Sequence, residues 1–197
     1  MSRTVWQRHG SEAVAVDELL DAAGRAFAEL GVAKATMIDV CRYAGCSRAT
    51  LYRYFPNQAA LHHAFVNRAA LQIAARMAQA RDTGGGPKTM ADRIIGGIQA
   101  VRSDPLLAVW FRPENVSVPM ALSQDSELLA HMGAAFVGEL SSATSTREAE
   151  RRGGWLLRCI VALLAMPAAD EVAERHMIEA FVLPVLIDDL TPRRASA

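Results

Sequence analysis

The chain has 197 residues, of which 51% are hydrophobic, and its formal net charge at pH 7 is zero. This length and composition allow one large or two small domains with a real core. Three cysteines do not suggest a disulfide framework, and the longest apolar run, at 159–169, is too short to span a membrane. We therefore expect a soluble cytoplasmic protein.

The charges are distributed unevenly along this neutral chain. Between Val40 and Arg81 there is no Asp or Glu but there are six arginines, so this segment carries a charge of +6. Residues 82–190 contain 15 acids and 9 bases. A basic patch in a neutral chain is typical of a phosphate-binding surface. The alternative, a solvated helix surface, explains scattered arginines but not the absence of acids.

The first regular element is a helix predicted over 12–30. Residues 1–10 before it form a short polar arm, which either places an arginine in the DNA minor groove or is disordered. Apolar residues recur at helical spacing along 12–30, and Gly31 follows the last of them. We expect this helix to cover one side of a small core formed by Val40, Leu51 and Phe55.

The stretch that begins at Thr36 is predicted to form two short helices joined by a tight turn. Thr36 is a good N-cap residue, and Asp39 three positions later fits a capping box. Gly45 can end the first helix in a left-handed conformation, and Ser47 can cap the second. Pro56 stops that second helix. Two such helices, with a polar, basic first turn in the second, form a helix-turn-helix.

The letters of this stretch are specific enough to carry a resemblance. The elements A-G-x-S at 44–47 and T-L-Y-x-x-F-x-N at 50–57 match position by position the DNA-binding signature of the TetR family of transcriptional regulators, which the chain resembles. The match extends upstream through LLDAAGRAFAELG at 19–31. The resemblance implies an all-α fold. It would have an N-terminal three-helix helix-turn-helix DNA-binding domain at 1–57 and a C-terminal helical ligand-binding and dimerisation domain at 58–197.

The resemblance also implies which residues contact DNA. Helix 47–54 would enter the major groove, and Arg48 is the first candidate for a base contact, because bidentate arginine–guanine pairs are the commonest specific contact. A phosphate contact is the alternative for Arg48. Gln58 stands where the family commonly has lysine, which weakens a phosphate contact there without excluding it. The full predicted set is Thr36, Ser47, Arg48, Ala49, Thr50, Tyr52, Arg53, Tyr54 and Gln58.

Beyond the helix-turn-helix, the sequence predicts only helices. No segment shows the two-residue alternation of a strand. The glycine-rich loop at 82–87 has neither the preceding strand nor the spacing of a phosphate-binding loop, so we interpret it as a flexible connector. The predicted helices are 58–80, 89–102, 105–111, 119–140, 147–166 and 170–189.

The last two predicted helices are unusually apolar. Residues 155–166 are apolar nearly all round, and the final helix adds Val172 and Phe181. Such helices need another surface to cover them, and a symmetric partner would supply one. In TetR-like proteins these helices pair with their copies in a four-helix interface, so we expect a homodimer. Pro184 should kink the last helix near its end.

The C-terminal domain is predicted to hold a pocket for a small, largely apolar effector. Arg158 stands apart because it lies within the apolar run W-L-L-R-C-I-V-A-L-L. A buried arginine needs a partner, so it either pairs with an acid of the protein or meets an anionic group of the ligand. Taken singly, most of the candidates are better explained as ordinary core residues. They are Trp110, Phe111, Met120, His131, Trp155, Arg158 and Cys159.

These features lead to one functional hypothesis, a homodimeric repressor that a ligand releases from a palindromic double-stranded DNA operator. An enzyme on a helical scaffold is the first rival, but the sequence shows no nucleophile–base–acid set, metal cluster or cofactor loop. We expect no catalysis, no cofactor and no membrane partner. The second rival is an interaction protein that uses the helix-turn-helix only for packing, and the basic segment disfavours it.

Overall fold

The computed structural model describes residues 12–82, 89–140 and 145–187, and every regular element in those residues is helical, as predicted. The arm at 1–10, most of the glycine-rich loop and the predicted helix end at 188–189 lie outside them. The elements are α1 (Glu12–Leu30), α2 (Met37–Ala44), α3 (Arg48–Tyr54), α4 (Gln58–Asp82), α5 (Met90–Ser103), α6 (Pro105–Ala108), a 3₁₀ turn (Val109–Phe111), α7 (Ser117–Asp125), α8 (Glu127–Leu140), α9 (Thr146–Ala165), α10 (Glu171–Met177), a π turn (Ile178–Val182) and α11 (Leu183–Ile187).

One compact unit contains the described residues up to Ile73 together with Val101–Leu122. At its centre the Phe27 ring meets the rings of Phe65 and Trp110 edge-on, at centroid distances of 5.5 and 5.4 Å. The predicted core residues of α1, α2 and α3 therefore share one core with α4 and the 3₁₀ turn. Its buried members include Leu19, Phe27, Val40, Leu51, Phe55, Leu61, Phe65 and Trp110. This unit extends past residue 57, and the functional boundary expected there stays a prediction.

The second unit contains Ala74–Ala100 and the described residues from Ser123 onward. Two ion pairs hold α5 to other helices of this unit. Arg93 Nη1 lies 2.8 Å from Glu139 Oε2 on α8, and Arg175 Nη2 on α10 lies 2.8 Å from Asp92 Oδ1. The Arg175 hydrogen bond, assisted by that of Thr89, lowers the pKa of the Asp92 carboxyl. The salt bridge therefore persists to more acidic pH than an isolated carboxylate would allow.

The single helix predicted over 119–140 is wrong. The structure has α7 and α8 instead, separated at Ser126. The Ser126 Oγ accepts a hydrogen bond from the Leu129 N–H at 3.3 Å, so this serine caps α8. Ser126 is buried, and the polar run S-Q-D-S-E at 123–127 is a local signal of this break.

The irregularity predicted near Pro184 takes the form of a π turn. Residues 178–182 have π geometry between α10 and α11, and Pro184 lies in the first turn of α11. Proline has no N–H to donate one turn back, and in a regular α-helix its ring would clash with the carbonyl of Ala180, so a widened turn accommodates it. Among the described residues, no helix is long and apolar enough to cross a membrane.

Candidate nucleic-acid interface

The start of α2 is fixed by the capping box that the sequence predicted. The Thr36 Oγ1 accepts from the Asp39 N–H at 3.2 Å, and the Thr36 N–H donates to Asp39 Oδ2 at 3.0 Å. The Thr36 hydroxyl also donates to Asp39 Oδ2 at 2.6 Å. These bonds to Thr36, assisted by the charge of Arg42, lower the pKa of Asp39. The Thr36 hydroxyl is therefore already bonded within the protein, and the first N–H groups of α2 are the donors left for a phosphate.

The turn between α2 and α3 follows the predicted cap chemistry. Gly45 has φ of 63°, the left-handed conformation that glycine adopts without steric cost. The Cys46 N–H donates to the Cys41 carbonyl at 3.1 Å and closes the end of α2. The Ser47 Oγ then accepts from the Thr50 N–H at 3.1 Å and so begins α3. The orientation of α3 is thus set by backbone bonds on both sides of a short turn.

Helix α3 is attached to the core by one side and exposed on the other. Leu51 is completely buried and Phe55, which follows the helix, is buried beside it. The residues one turn apart on the opposite side, Arg48 with Tyr52 and Ala49 with Arg53, are exposed. Thr50 and Tyr54 are half-buried. These four positions are neighbours along the chain or one helical turn apart, so their exposed side chains lie on one surface of the helix. That surface has the form needed to enter a groove of DNA.

Arg53 and Tyr54 are linked on this surface. The Arg53 Nη2 donates to the Tyr54 hydroxyl at 2.9 Å, and its guanidinium lies 4.7 Å from the centroid of the tyrosine ring. The pairing restricts both side chains. A restrained arginine loses less conformational entropy when it binds an anion.

The segment 40–81, which contains no acid, does not present all six of its arginines as unpaired positive charges. Some of them form ion pairs with acids from outside the segment. Arg68 Nη2 lies 2.8 Å from Asp21 Oδ1, and its Nη1 lies 3.4 Å from Asp17 Oδ1, both on α1. Arg42 pairs with Asp39, one residue before the segment, at 2.9 Å. Folding therefore brings acids from outside the segment against two of its arginines. The basic charge of α3 itself comes from Arg48 and Arg53.

Gln58, at the start of α4, is bound to the protein's own backbone. Its Nε2 donates to the Ala35 carbonyl at 2.8 Å, directly before the capping residue Thr36. Asn57 caps α4 as predicted, with its Oδ1 accepting from the Ala60 N–H at 2.8 Å. Gln58 therefore ties the start of α4 to the start of α2. Its role as a phosphate contact stays a prediction.

Asn115 is a positioning residue that the sequence did not reveal. Its buried side chain accepts from the Ala33 N–H at 3.1 Å through Oδ1 and donates to the Val109 carbonyl at 2.8 Å through Nδ2. It thereby joins the turn between α1 and α2 to the 3₁₀ turn within the first unit. The partners lie up to 82 residues apart, so no local sequence signal could have indicated the bridge.

His62 is a second residue that the sequence did not reveal, because it faces the aromatic core instead of solvent. Its ring meets those of Phe27 and Trp110 edge-on, at 5.2 and 5.3 Å. Burial, with a smaller contribution from His63, lowers the pKa of His62 to about 4. The imidazole is therefore neutral at physiological pH and belongs to the hydrophobic core.

The candidate ligand residues are divided between the two units. Trp110 is buried, stacked on Phe65 at 5.3 Å, and Phe111 packs against the same core. Met120 is in this first unit too but is exposed. In the second unit His131 and Trp155 are exposed, and burial raises the pKa of the half-buried Cys159 thiol. The ligand-binding roles of these residues stay predictions.

The expectation that Arg158 is buried is wrong. Its side chain is exposed, and its Nη1 donates to the Gly154 carbonyl in the previous turn of α9 at 3.0 Å. The buried arginine of this helix is Arg152, whose Nε bonds to Glu148 Oε1 at 3.0 Å and whose Nη1 donates to the Leu186 carbonyl at 3.1 Å. A run of apolar letters does not reveal which side of the helix turns outward.

Comparison with known proteins agrees with this geometry. The family described as "Bacterial regulatory proteins, tetR family" matches residues 19–65, which contain α1, α2, α3 and the start of α4. Uncharacterized HTH-type transcriptional regulators from two strains of Mycobacterium tuberculosis are 35% identical over 198 residues, covering 100% of this chain and 96% of each relative. The chain belongs to the TetR family. TetR-family proteins are transcriptional regulators and not enzymes, as the sequence predicted.

Solved structures of bacterial regulators, one of them named as a TetR-family repressor, share the fold over most of the chain. The repressor AlkX from a Dietzia species, implicated in n-alkane biodegradation, superposes with a TM-score of 0.58 at 18% identity over 90% of this chain and 98% of its own. The fatty acid degradation regulator FadR from Bacillus halodurans superposes with a TM-score of 0.55 at 15% identity over 93% and 100%. The predicted arrangement of an N-terminal helix-turn-helix followed by a helical C-terminal domain is confirmed as the fold.

Proposed function

We propose that this TetR-family regulator is a cytoplasmic homodimeric repressor that binds a palindromic operator and is released by a small, largely apolar ligand. The observation that carries the proposal is α3. It is capped by Ser47, held to the core by Leu51, and directs Arg48 and Tyr52 outward. A short rigid helix with an exposed, basic first turn fits the major groove, where arginine can read guanine.

The dimer is supported by apolar side chains that one chain leaves uncovered on α9 to α11 and the loop between them. A two-fold partner that packs against these helices would bury the same side chains on both subunits. Two copies would give two recognition helices, and these require a palindrome with half-sites about one helical turn apart. The exposed residues are Trp155, Met166, Val172, Met177, Phe181 and Ile187.

The apolar character of the ligand is supported by side chains of α8 and α9 that are only half-buried. An apolar effector would cover these groups. To release the protein from DNA, it would have to bind more tightly to a conformation whose recognition helices do not fit the operator. Release would then follow a change in the separation of the two recognition helices. AlkX is named as a repressor, in keeping with repression here. The half-buried residues include Leu128, Leu129, Met132, Phe136, Leu157 and Ile160.

Selection of bound duplexes from random DNA, combined with light scattering, tests the proposal. We expect an enriched near-palindrome and a solution mass of twice the 21.3 kDa of one chain. Addition of apolar compounds should release the enriched duplex. The proposal is wrong if no sequence is enriched, or if a chain of monomer mass binds the duplex tightly.

A further inference from the structure

Cys41 and Cys46 form a pair at the turn between α2 and α3. Gly45 ends α2 in the left-handed conformation, and the Cys46 N–H donates to the Cys41 carbonyl at 3.1 Å. In a helix end of this kind, the side chains of the first and last residues of the six-residue turn are frequently in contact. Here both are thiols, and the neighbouring Cys41 contributes to raising the pKa of Cys46.

The surroundings of the two thiols differ. Cys41 is buried in the core, whereas Cys46 is half-buried and packs against that core from the turn. In the part of the chain that the structure describes, no group of three or more His, Cys, Asp or Glu could hold a metal ion, so metal binding does not explain the pair. One backbone hydrogen bond, from the Cys46 N–H to the Cys41 carbonyl, joins the two residues, and this is compatible with the short Cα separation that a disulfide needs.

We propose that Cys41 and Cys46 are an oxidisable dithiol, and that a disulfide between them lowers the affinity of α3 for DNA. The inference rests on the DNA-binding function proposed above. In a cytoplasmic protein, disulfides are transient and often serve in redox sensing, so a reversible bond is expected instead of a structural one.

A hydroperoxide is the class of oxidant that this chemistry requires. The Cys46 sulfur, as thiolate, attacks the terminal peroxide oxygen, the O–O bond breaks, and the leaving oxygen takes up the proton lost by the thiol. The Cys41 sulfur then attacks the sulfenic acid on Cys46. The S–S bond forms, the S–O bond breaks, and the hydroxyl leaves as water with the Cys41 proton. With hydrogen peroxide, each disulfide consumes one peroxide and releases two waters.

The rate of this reaction depends on the environment of Cys46. Burial, with the neighbouring Cys41, raises the pKa of Cys46 to about 11. The reactive thiolate is therefore scarce at neutral pH, and the rate of oxidation rises as the pH rises towards that value. The pair should respond to sustained oxidant rather than to a brief exposure.

The position of Cys46 links the thiol chemistry to DNA recognition. A disulfide bond is ~2.05 Å long, much shorter than the separation of two sulfurs that are not covalently bonded, so the sulfurs must move together. Cys41 is held in the core, so the movement falls on Cys46 and on Ser47, the cap of α3. Arg48 follows immediately. A displaced start of α3 would misalign its side chains with the base edges, because recognition tolerates only small errors in position.

The test uses the full chain, hydrogen peroxide at pH 8, and the duplex enriched by the reduced protein. Intact mass spectrometry should show that peroxide lowers the mass of each chain by that of two hydrogen atoms. Peptide mapping should then locate the new disulfide between Cys41 and Cys46. Affinity for the duplex should fall by about tenfold or more and return with dithiothreitol. The matched variant Cys46→Ala should bind the duplex equally before and after peroxide.

Two results would overturn the inference. One is a gain of oxygen, or no change in mass, without the Cys41–Cys46 bond. The other is formation of that bond with unchanged affinity for the duplex. If the reduced protein enriches no duplex, the proposed DNA-binding function fails, and the mass measurement still decides whether the two thiols form a disulfide.

Discussion

Gly133 of α8 and Gly153 of α9 lie in direct backbone contact. A Cβ atom added to Gly153 would be 2.4 Å from the Gly133 carbonyl carbon and 2.5 Å from the Ala134 nitrogen. A Cβ added to Gly133 would be 2.8 Å from the Gly153 carbonyl oxygen. Backbone atoms cannot move aside as a flexible side chain can. The close approach of these two helices therefore requires glycine at both positions.

Replacing Gly153 by alanine should destabilise the second unit. Overpacking a close contact typically costs about 1–3 kcal/mol, because the two helices must move apart. Urea unfolding of Gly153→Ala should show this loss. The matched control is Gly138→Ala in α8, where an added Cβ would meet nothing within 4 Å. There the greater helix propensity of alanine should leave stability unchanged or raise it by up to about 1 kcal/mol. Equal stabilities of the two variants would contradict the contact.

His62 should make folding stability depend on pH in the acidic range. The pKa of its imidazole is about 4 in the folded state, compared with a usual value of 6.5. Between these pH values the unfolded chain binds the proton on His62 and the folded chain does not. The contribution of His62 to the free energy of unfolding is therefore fully present above pH 6.5 and is lost as the pH falls towards 4. The shift corresponds to a loss of about 3 kcal/mol at the acidic limit.

The variant His62→Phe isolates this contribution. Phenylalanine suits the surrounding aromatic rings and does not titrate, so its stability should fall less than that of the unmodified chain between pH 6.5 and 4. The exposed His176→Gln serves as the control and should follow the unmodified chain. Thermal unfolding monitored by circular dichroism across this pH range measures the difference. Parallel curves for His62→Phe and the unmodified chain would show that His62 is not buried as a neutral group.

The helix-turn-helix could be predicted because its signals are local in sequence. Thr36, Gly45 and Ser47 each act on a backbone group within a few residues, and each has the partner that its residue type favours. The same holds for Asn57 at the start of α4. A family signature of this kind is, in physical terms, a set of caps and turn residues around a few buried side chains.

The second half of the chain could not be predicted to the same depth because its determinants are distant or depend on helix orientation. The contact of Gly133 with Gly153 joins two helices, and the side chain of Asn115 bonds a residue 82 positions away. Arg152 and Arg158 lie in one apolar helix, yet only Arg152 is buried. Periodicity indicates that a helix exists, but not which side another helix will cover.

Arg48→Ala should weaken operator binding in a sequence-dependent way. Loss of a bidentate base contact costs about 1–3 kcal/mol and relaxes the preference at one base pair in each half-site. Fluorescence anisotropy with the enriched duplex and single-base variants of it measures both effects. The exposed Arg76 of α4, replaced by alanine, is the matched control and should leave the base preference unchanged. An equal loss of affinity on all duplexes would make Arg48 a phosphate contact.

Gln58→Lys should add a phosphate contact while retaining the tie to α2. A lysine ammonium can donate to the Ala35 carbonyl as the glutamine amide does, and it brings a charge beside the first turn of α4. Each neutralised phosphate changes the slope of log affinity against log salt by about 0.9, so a dimer should gain up to about 1.8. The gain should be similar on operator and random DNA, since phosphates carry no sequence information.

Salt titrations of Gln58→Lys and Gln58→Leu distinguish the effect of an added positive charge from the effect of losing the bond to Ala35. Leucine removes the bond to Ala35 without adding charge, so it should lower thermal stability and leave the salt slope unchanged. A slope that does not steepen in Gln58→Lys would mean that this residue does not face the DNA backbone.

Phe181→Glu should separate the proposed dimer into folded monomers. Phe181 is 66% exposed in a single chain, so a glutamate there costs little within the subunit and is unfavourable only if a partner buries it. Leu163 of α9 is a poorer choice because it is only 7% exposed in a single chain, and a charge there would disrupt the subunit itself. Light scattering should give half the mass of the unmodified protein, with an unchanged helical signal by circular dichroism. The control Leu71→Glu alters an exposed leucine of the first unit and should leave the mass unchanged. A dimer that persists in Phe181→Glu would move the interface away from the π turn and α11.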